Sequence, residues 1–84
     1  MKEDLLKLIE EFDVNELYFL EETIPTYIIV SAQSESLLKK IGEMEEIEAD
    51  IITLTPDEKE ALKFSPSEIS KVVINVMEKG ERLI

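Results

Sequence analysis

Leu17-Tyr18-Phe19-Leu20 and Tyr27-Ile28-Ile29-Val30, joined by Glu21-Glu22-Thr23-Ile24-Pro25 and Thr26, decide the fold of this chain. Neither apolar run alternates with polar residues. A strand with one face in water reads hydrophobic-polar-hydrophobic, whereas a strand covered on both faces reads as an unbroken apolar run. Pro25 lacks the amide that a ladder needs, so it belongs to the connection. The reading is two central strands, each roofed on both sides.

Outward from this pair, the flanking segments change period. Leu5, Leu8, Ile9 and Phe12 recur at helical spacing, with Leu6 widening the stripe, which predicts an amphipathic helix over about Lys2–Phe12. Asp13–Glu16 reads as a turn. After the second strand, Ser34 or Ser36 is expected to cap a helix lined by Leu37, Leu38 and Ile41, which either ends at Gly42 or runs through it to Met44. Ile47–Leu54 reads as a third strand with Ile51, Ile52 and Leu54 as its core.

Two phrases then punctuate the second half, Thr55-Pro56-Asp57-Glu58 and Ser65-Pro66-Ser67-Glu68. A Thr or Ser oxygen accepts from the unpartnered amides of a first turn, Pro at the first helical position gives up an N–H that had no partner, and Glu three places on reaches back to the cap. Thr55 is therefore expected to open a short helix to about Lys63, and Ser65 the last helix. Ile69, Val72, Val73, Val76 and Met77 predict the core stripe of that helix, and Gly80 a left-handed stop. Arg82-Leu83-Ile84 either adds an edge strand or docks. The expected class is α+β (α/β-like), with the order α-β-β-α-β-α-α-(β), and a small mixed three- to four-stranded sheet with helices packed on it. It is read as one domain over residues 1–84.

Composition narrows the chemistry. A chain of 84 residues buries roughly 60–65% of its unfolded surface, enough for a thin core. Cys and His are both absent, which rules out disulfides, thiolate or imidazole metal ligands, and Ser-His-Asp or Cys-His hydrolysis within this chain. The net charge of −11 opposes contact with nucleic-acid phosphates and anionic membranes, and favours a basic partner or a cation. Met1-Lys2-Glu3-Asp4 opens a charged amphipathic segment unlike a signal peptide, and no apolar run is long enough to span a membrane, so a cytoplasmic protein is expected. Abundant Glu, Lys and Ile with a single Gln are thermophile habits.

Glu43, Glu45, Glu46, Glu48 and Asp50 form the densest acidic group. Such a group could hold a divalent cation through oxygen ligands, but it has no Asp-x-Asp or calcium-loop spacing, and a solvated helix end beside a strand edge explains it. Tyr18, Phe19 and Tyr27 sit inside the predicted strands without interleaved Lys or Arg, so they read as core rather than as base-stacking residues. Lys39, Lys40, Lys59, Lys63 and Lys71 are scattered on helices and pair most simply with acids three or four positions away. The two glycines stand apart, so no phosphate-binding glycine loop is present.

Three passages resemble the minimal nucleotidyltransferase family: Glu11-Phe12-Asp13-Val14-Asn15-Glu16-Leu17-Tyr18-Phe19-Leu20, Ala49-Asp50-Ile51-Ile52-Thr53-Leu54, and Met77-Glu78-Lys79-Gly80-Glu81-Arg82-Leu83-Ile84. The resemblance implies a strand running into a Gly-Ser phosphate grip and a basic helix, a next strand opening with two carboxylates for magnesium, and a third carboxylate on a later strand. Here Leu20 runs into Glu21-Glu22-Thr23-Ile24-Pro25, the next strand opens with Pro25-Thr26-Tyr27, and Asp50 alone matches, as a relic of the third carboxylate. Two-metal phosphoryl chemistry needs ions held by two or more carboxylates.

The expectation is thus a degenerate, non-catalytic nucleotidyltransferase-like domain, with no cofactor and no catalytic residue, acting through a protein partner or self-association. An acidic decoy or antitoxin-like partner of a basic protein is the first alternative. A metal-dependent nucleotidyl-transferring enzyme using Asp50 with Glu21 or Glu22 is the second. Asp50, Glu48, Glu21 and Glu22 are the metal-ligand candidates.

Overall fold

The computed structural model describes residues 2–44, 49–64 and 67–84. The elements run α1 (Lys2–Glu10), β1 (Val14–Leu20), β2 (Thr26–Ser31), α2 (Ser34–Glu43), β3 (Asp50–Leu54), α3 (Pro56–Ala61), α4 (Glu68–Lys79) and β4 (Glu81–Arg82). The α+β class and the expected element order both hold. The four strands stand in the order β3-β2-β1-β4, with β2 antiparallel to β1 and parallel to β3, and β4 antiparallel to β1. The tail therefore adds an edge strand, and the Leu83 amide donates to the Leu17 carbonyl at 2.7 Å.

Every residue of β2 is buried, because both faces of the sheet are covered. One face carries Leu17, Phe19, Tyr27, Ile29 and Ile51 against Leu5 and Ile9 of α1 and Leu37 and Ile41 of α2. The other carries Tyr18, Leu20, Ile28, Ile52 and Leu54 against Val73, Val76 and Met77 of α4 and Leu62 beyond α3. Successive strand residues alternate between the two cores, which is the period-two geometry of a strand in a three-layer stack.

Asp13–Glu16 is not simply a turn, for β1 begins at Val14. Val14 pairs with Ser31 and Glu16 with Val30, so Asn15 is one residue in excess, a β-bulge. By strict alternation Val14, Glu16 and Tyr18 would share a face. The bulge turns Val14 onto the α1–α2 core and leaves Glu16 on the Tyr18 side. Polar Asn15 and Glu16 hide the strand from a reading of apolar runs.

The helix ends also differ from expectation. Thr55 caps α3 as read, with a complete capping box to Glu58. Neither Ser34 nor Ser36 caps α2; the cap position is Gln33, whose side-chain oxygen accepts from the Asp13 amide at 2.9 Å instead of from the helix. Ser31 Oγ donates to the Asp13 carbonyl at 2.6 Å and accepts from the Gln33 amide at 3.0 Å, so the entry to α2 is tied to the entry to β1. Gly42 lies inside α2 and Met44 is its C-cap.

Residues 65 and 66 of the second cap phrase lie outside the described residues, and α4 opens from Ser67, in a reciprocal box with Ser70. The inner face of α4 is also turned relative to the expected stripe. Ser70, Val73 and Val76 face the core, while Ile69 is 61% and Val72 45% exposed. The Ser70 hydroxyl can occupy an inward position because it is bonded to the Ser67 carbonyl and amide, each at 2.7 Å.

Gly80 is not left-handed: its backbone is extended, at φ −85° and ψ −176°. A glycine is needed there for space, since a Cβ would stand 2.5 Å from both the Phe19 and Val76 carbonyl oxygens. The chain leaves α4 and meets β1 at this point of close approach. The N-terminal part of the expected third strand, residues 47 and 48, lies outside the described residues.

Candidate functional site

The acids singled out by sequence meet at one end of the sheet without converging. Leu20, Thr26 and Asp50 form one row across β1, β2 and β3. Two strand spacings of about 4.8 Å separate the ends of that row, roughly 10 Å. Asp50 is exposed at the start of β3, and Glu21 and Glu22 are exposed in the connection after Leu20. Glu48 lies outside the described residues. Among the described residues no group of three or more acids is close enough to hold a metal ion. Asp50 is the one carboxylate of that row, and Glu21 and Glu22 stand exposed in the connection beside it, each open to water.

A different cluster is assembled on the α3–α4 side, and neither composition nor local spacing announces it. The bulge aims Glu16 along the Tyr18 face, and the Thr55 cap sets α3 so that Lys59, whose amide donates to the Thr55 carbonyl, points back at β1. Lys59 Nζ donates to both Glu16 carboxylate oxygens, at 2.6 and 2.7 Å, and the Tyr18 hydroxyl donates to Oε1 as well. The Arg82 guanidinium lies 5.7 Å from the centre of the Tyr18 ring. Lys59 thus pairs across 43 positions of sequence, not with an acid of its own helix. Lys40 and Lys63 do pair three residues along, with Glu43 and Glu60.

Burial by itself would raise the Glu16 carboxyl, but the hydrogen bonds from Lys59 and Tyr18 and the charges of Lys59 and Arg82 outweigh it and hold the group below the ordinary glutamate value. The Tyr18 phenol is pushed up by burial, then by donating to Glu16 and lying beside its charge. A carboxylate accepting three bonds and held ionised is a poor base. The Glu16–Lys59 pair joins the bulge of β1 to α3 as a clamp.

Among the described residues the surface also offers apolar groups without cover. Ile69, Val72 and Ile74 stand out on α4, and Phe64, between α3 and α4, is 81% exposed. A polar cleft of about 450 Å³ opens beyond the ends of β2 and β3, lined in part by Ser34, Ser36, Thr55 and two acids, Glu35 and Glu58. The amides at the start of α2 would suit an anion, but the paired carboxylates at the same mouth oppose one. No helix among the described residues is long and apolar enough to cross a membrane. Comparison with known proteins finds no matching family model, no similar curated protein and no similar solved structure.

Proposed function

We propose that this chain is a non-catalytic interaction domain, working through protein–protein contact or self-association, on a framework akin to the minimal nucleotidyltransferases. The observation that carries the reading is the outer side of α4. A helix that already fills a core with Val73 and Val76 keeps Ile69 and Val72 in water, at 61% and 45% exposure. Isolated exposed aliphatics are ordinary, but neighbouring ones on one helix face, with Phe64 just before that helix, make a surface suited to a partner. In this reading Asp50 is a relic that needs no metal, and the protein works in the cytoplasm.

Light scattering during gel filtration, beside a pull-down in which Val72→Asp is the control bait, tests the proposal. A complex lost with that substitution supports it. A monomer retaining nothing contradicts it, as does binding of a magnesium nucleoside triphosphate tighter than millimolar. The net charge of −11 favours one second reading, an acidic cover for a basic protein. That reading predicts a complex whose affinity collapses as salt rises.

A further inference from the structure

Resting on the interaction-domain reading, we infer that the partner of α4 is a second copy of this chain, and that the two α4 helices pair antiparallel about a twofold axis. At about 100° per residue, Glu68, Val72, Asn75 and Lys79 fall within one stripe about 60° wide. Lys71 and Glu78 flank that stripe on one side and Ile69 on the other.

The charges read Glu68, Lys71, Glu78, Lys79, or minus, plus, minus, plus. Read backwards the signs are plus, minus, plus, minus. An antiparallel copy therefore sets opposite charge against each one: Glu68 meets the partner copy's lysine at position 79, and Lys71 its glutamate at position 78. Val72 and Asn75 fall between, each facing the other's equivalent. A parallel copy would set like against like. Glu68 with Lys79 and Val72 with Asn75 share one register from both ends, with the flanking Lys71 and Glu78 two residues off it and within reach of their long side chains, which is the self-complementarity that an isologous interface demands.

The same residues argue against a strongly basic partner here. Two acids and two bases make this face neutral, while the chain as a whole carries −11. None of the four makes an ion pair among the described residues, so all four remain available. Neutral charge with internal sign order suits a like surface better than a cationic one.

Sedimentation equilibrium of the full chain tests the pairing, with Glu68→Lys, Lys79→Glu and the double variant, each checked for folding by circular dichroism. The wild type is expected to form a reversible dimer. Each single reversal creates two like-charge contacts across the axis and should weaken the dimer about tenfold or more. The double variant exchanges the signs and should return to within about threefold of the wild type. A wild type that stays monomeric, or a double variant no tighter than either single one, overturns the inference. A monomer whose Val72→Asp form loses capture of a different protein overturns self-pairing while leaving the interaction reading intact; a monomer with no α4-dependent partner removes both.

Discussion

Beneath α1 and α2 the sheet closes on Leu5, Ile9, Leu17, Tyr27, Ile29, Leu37 and Ile41, all of them apolar save one tyrosine hydroxyl. Beneath α3 and α4 it closes on a smaller set, Tyr18, Ile28, Leu54, Val73 and Val76. That second side also takes in the Glu16–Lys59 pair and the buried Ser70, and leaves Ile69 and Val72 outside. The contrast separates two tasks. The first side holds the sheet with the larger apolar core, although Leu38 of α2 stays 52% exposed on it. The second trades core area for a polar clamp and a helix whose outer surface is free to meet something else.

The largest loss should come from the closed side. Leu17→Ala or Leu37→Ala, both fully buried, should cost about 2–5 kcal/mol in urea unfolding, since lost transfer energy and a residual cavity add together. If Ile28→Ala, equally buried on the other side, costs as much, the two sides are energetically alike and the contrast weakens. Gly80→Ala comes next. The Cβ clash with the Phe19 and Val76 carbonyls forces β4 from β1, for an expected loss of about 1–3 kcal/mol and faster amide exchange at Leu83.

Lys59→Met leaves the Glu16 carboxylate with Tyr18 and the more distant Arg82, at an expected cost of about 1 kcal/mol near neutral pH, because the pair is partly open to water. The sign of its pH dependence follows from the lowered Glu16 value. The stability it supplies is full above the unfolded-chain value, about pH 4.3, and is lost as pH falls through the folded one. The gap between wild type and Lys59→Met should therefore narrow on acidification, with the Glu16 carbon resonance titrating higher in the variant. Gly42→Ala should bring the smallest change, a gain of about 0.5–1 kcal/mol, because a methyl there meets open space inside a helix.

The strands, the helices and their order are legible in the sequence because each depends on local pattern: unbroken apolar runs, helical stripes, and the Thr55 phrase with its proline and glutamate. What escapes the sequence depends on register. The Asn15 bulge leaves no hydrophobic mark. Ser67 and Ser70 cap α4 where the sequence reading placed the cap at Ser65, and the face that α4 turns to the sheet, which leaves Ile69 and Val72 exposed, follows from packing and not from the cap phrase. Glu16 and Lys59 meet only because the sheet folds back on itself, so nothing in their spacing foretells a bond. Asp50, the residue the nucleotidyltransferase resemblance singles out, sits exposed on an outer strand, and its place in a row with Leu20 and Thr26 emerges only from strand pairing.

The claim at the centre is that the outer side of α4 serves contact and not folding. Val72→Asp, followed by urea unfolding and by sedimentation on the same sample, addresses it most directly. The expected result is a stability within about 0.5 kcal/mol of the wild type, together with loss of the dimer. A protein that unfolds like a core variant, or one that associates as before, would contradict the account.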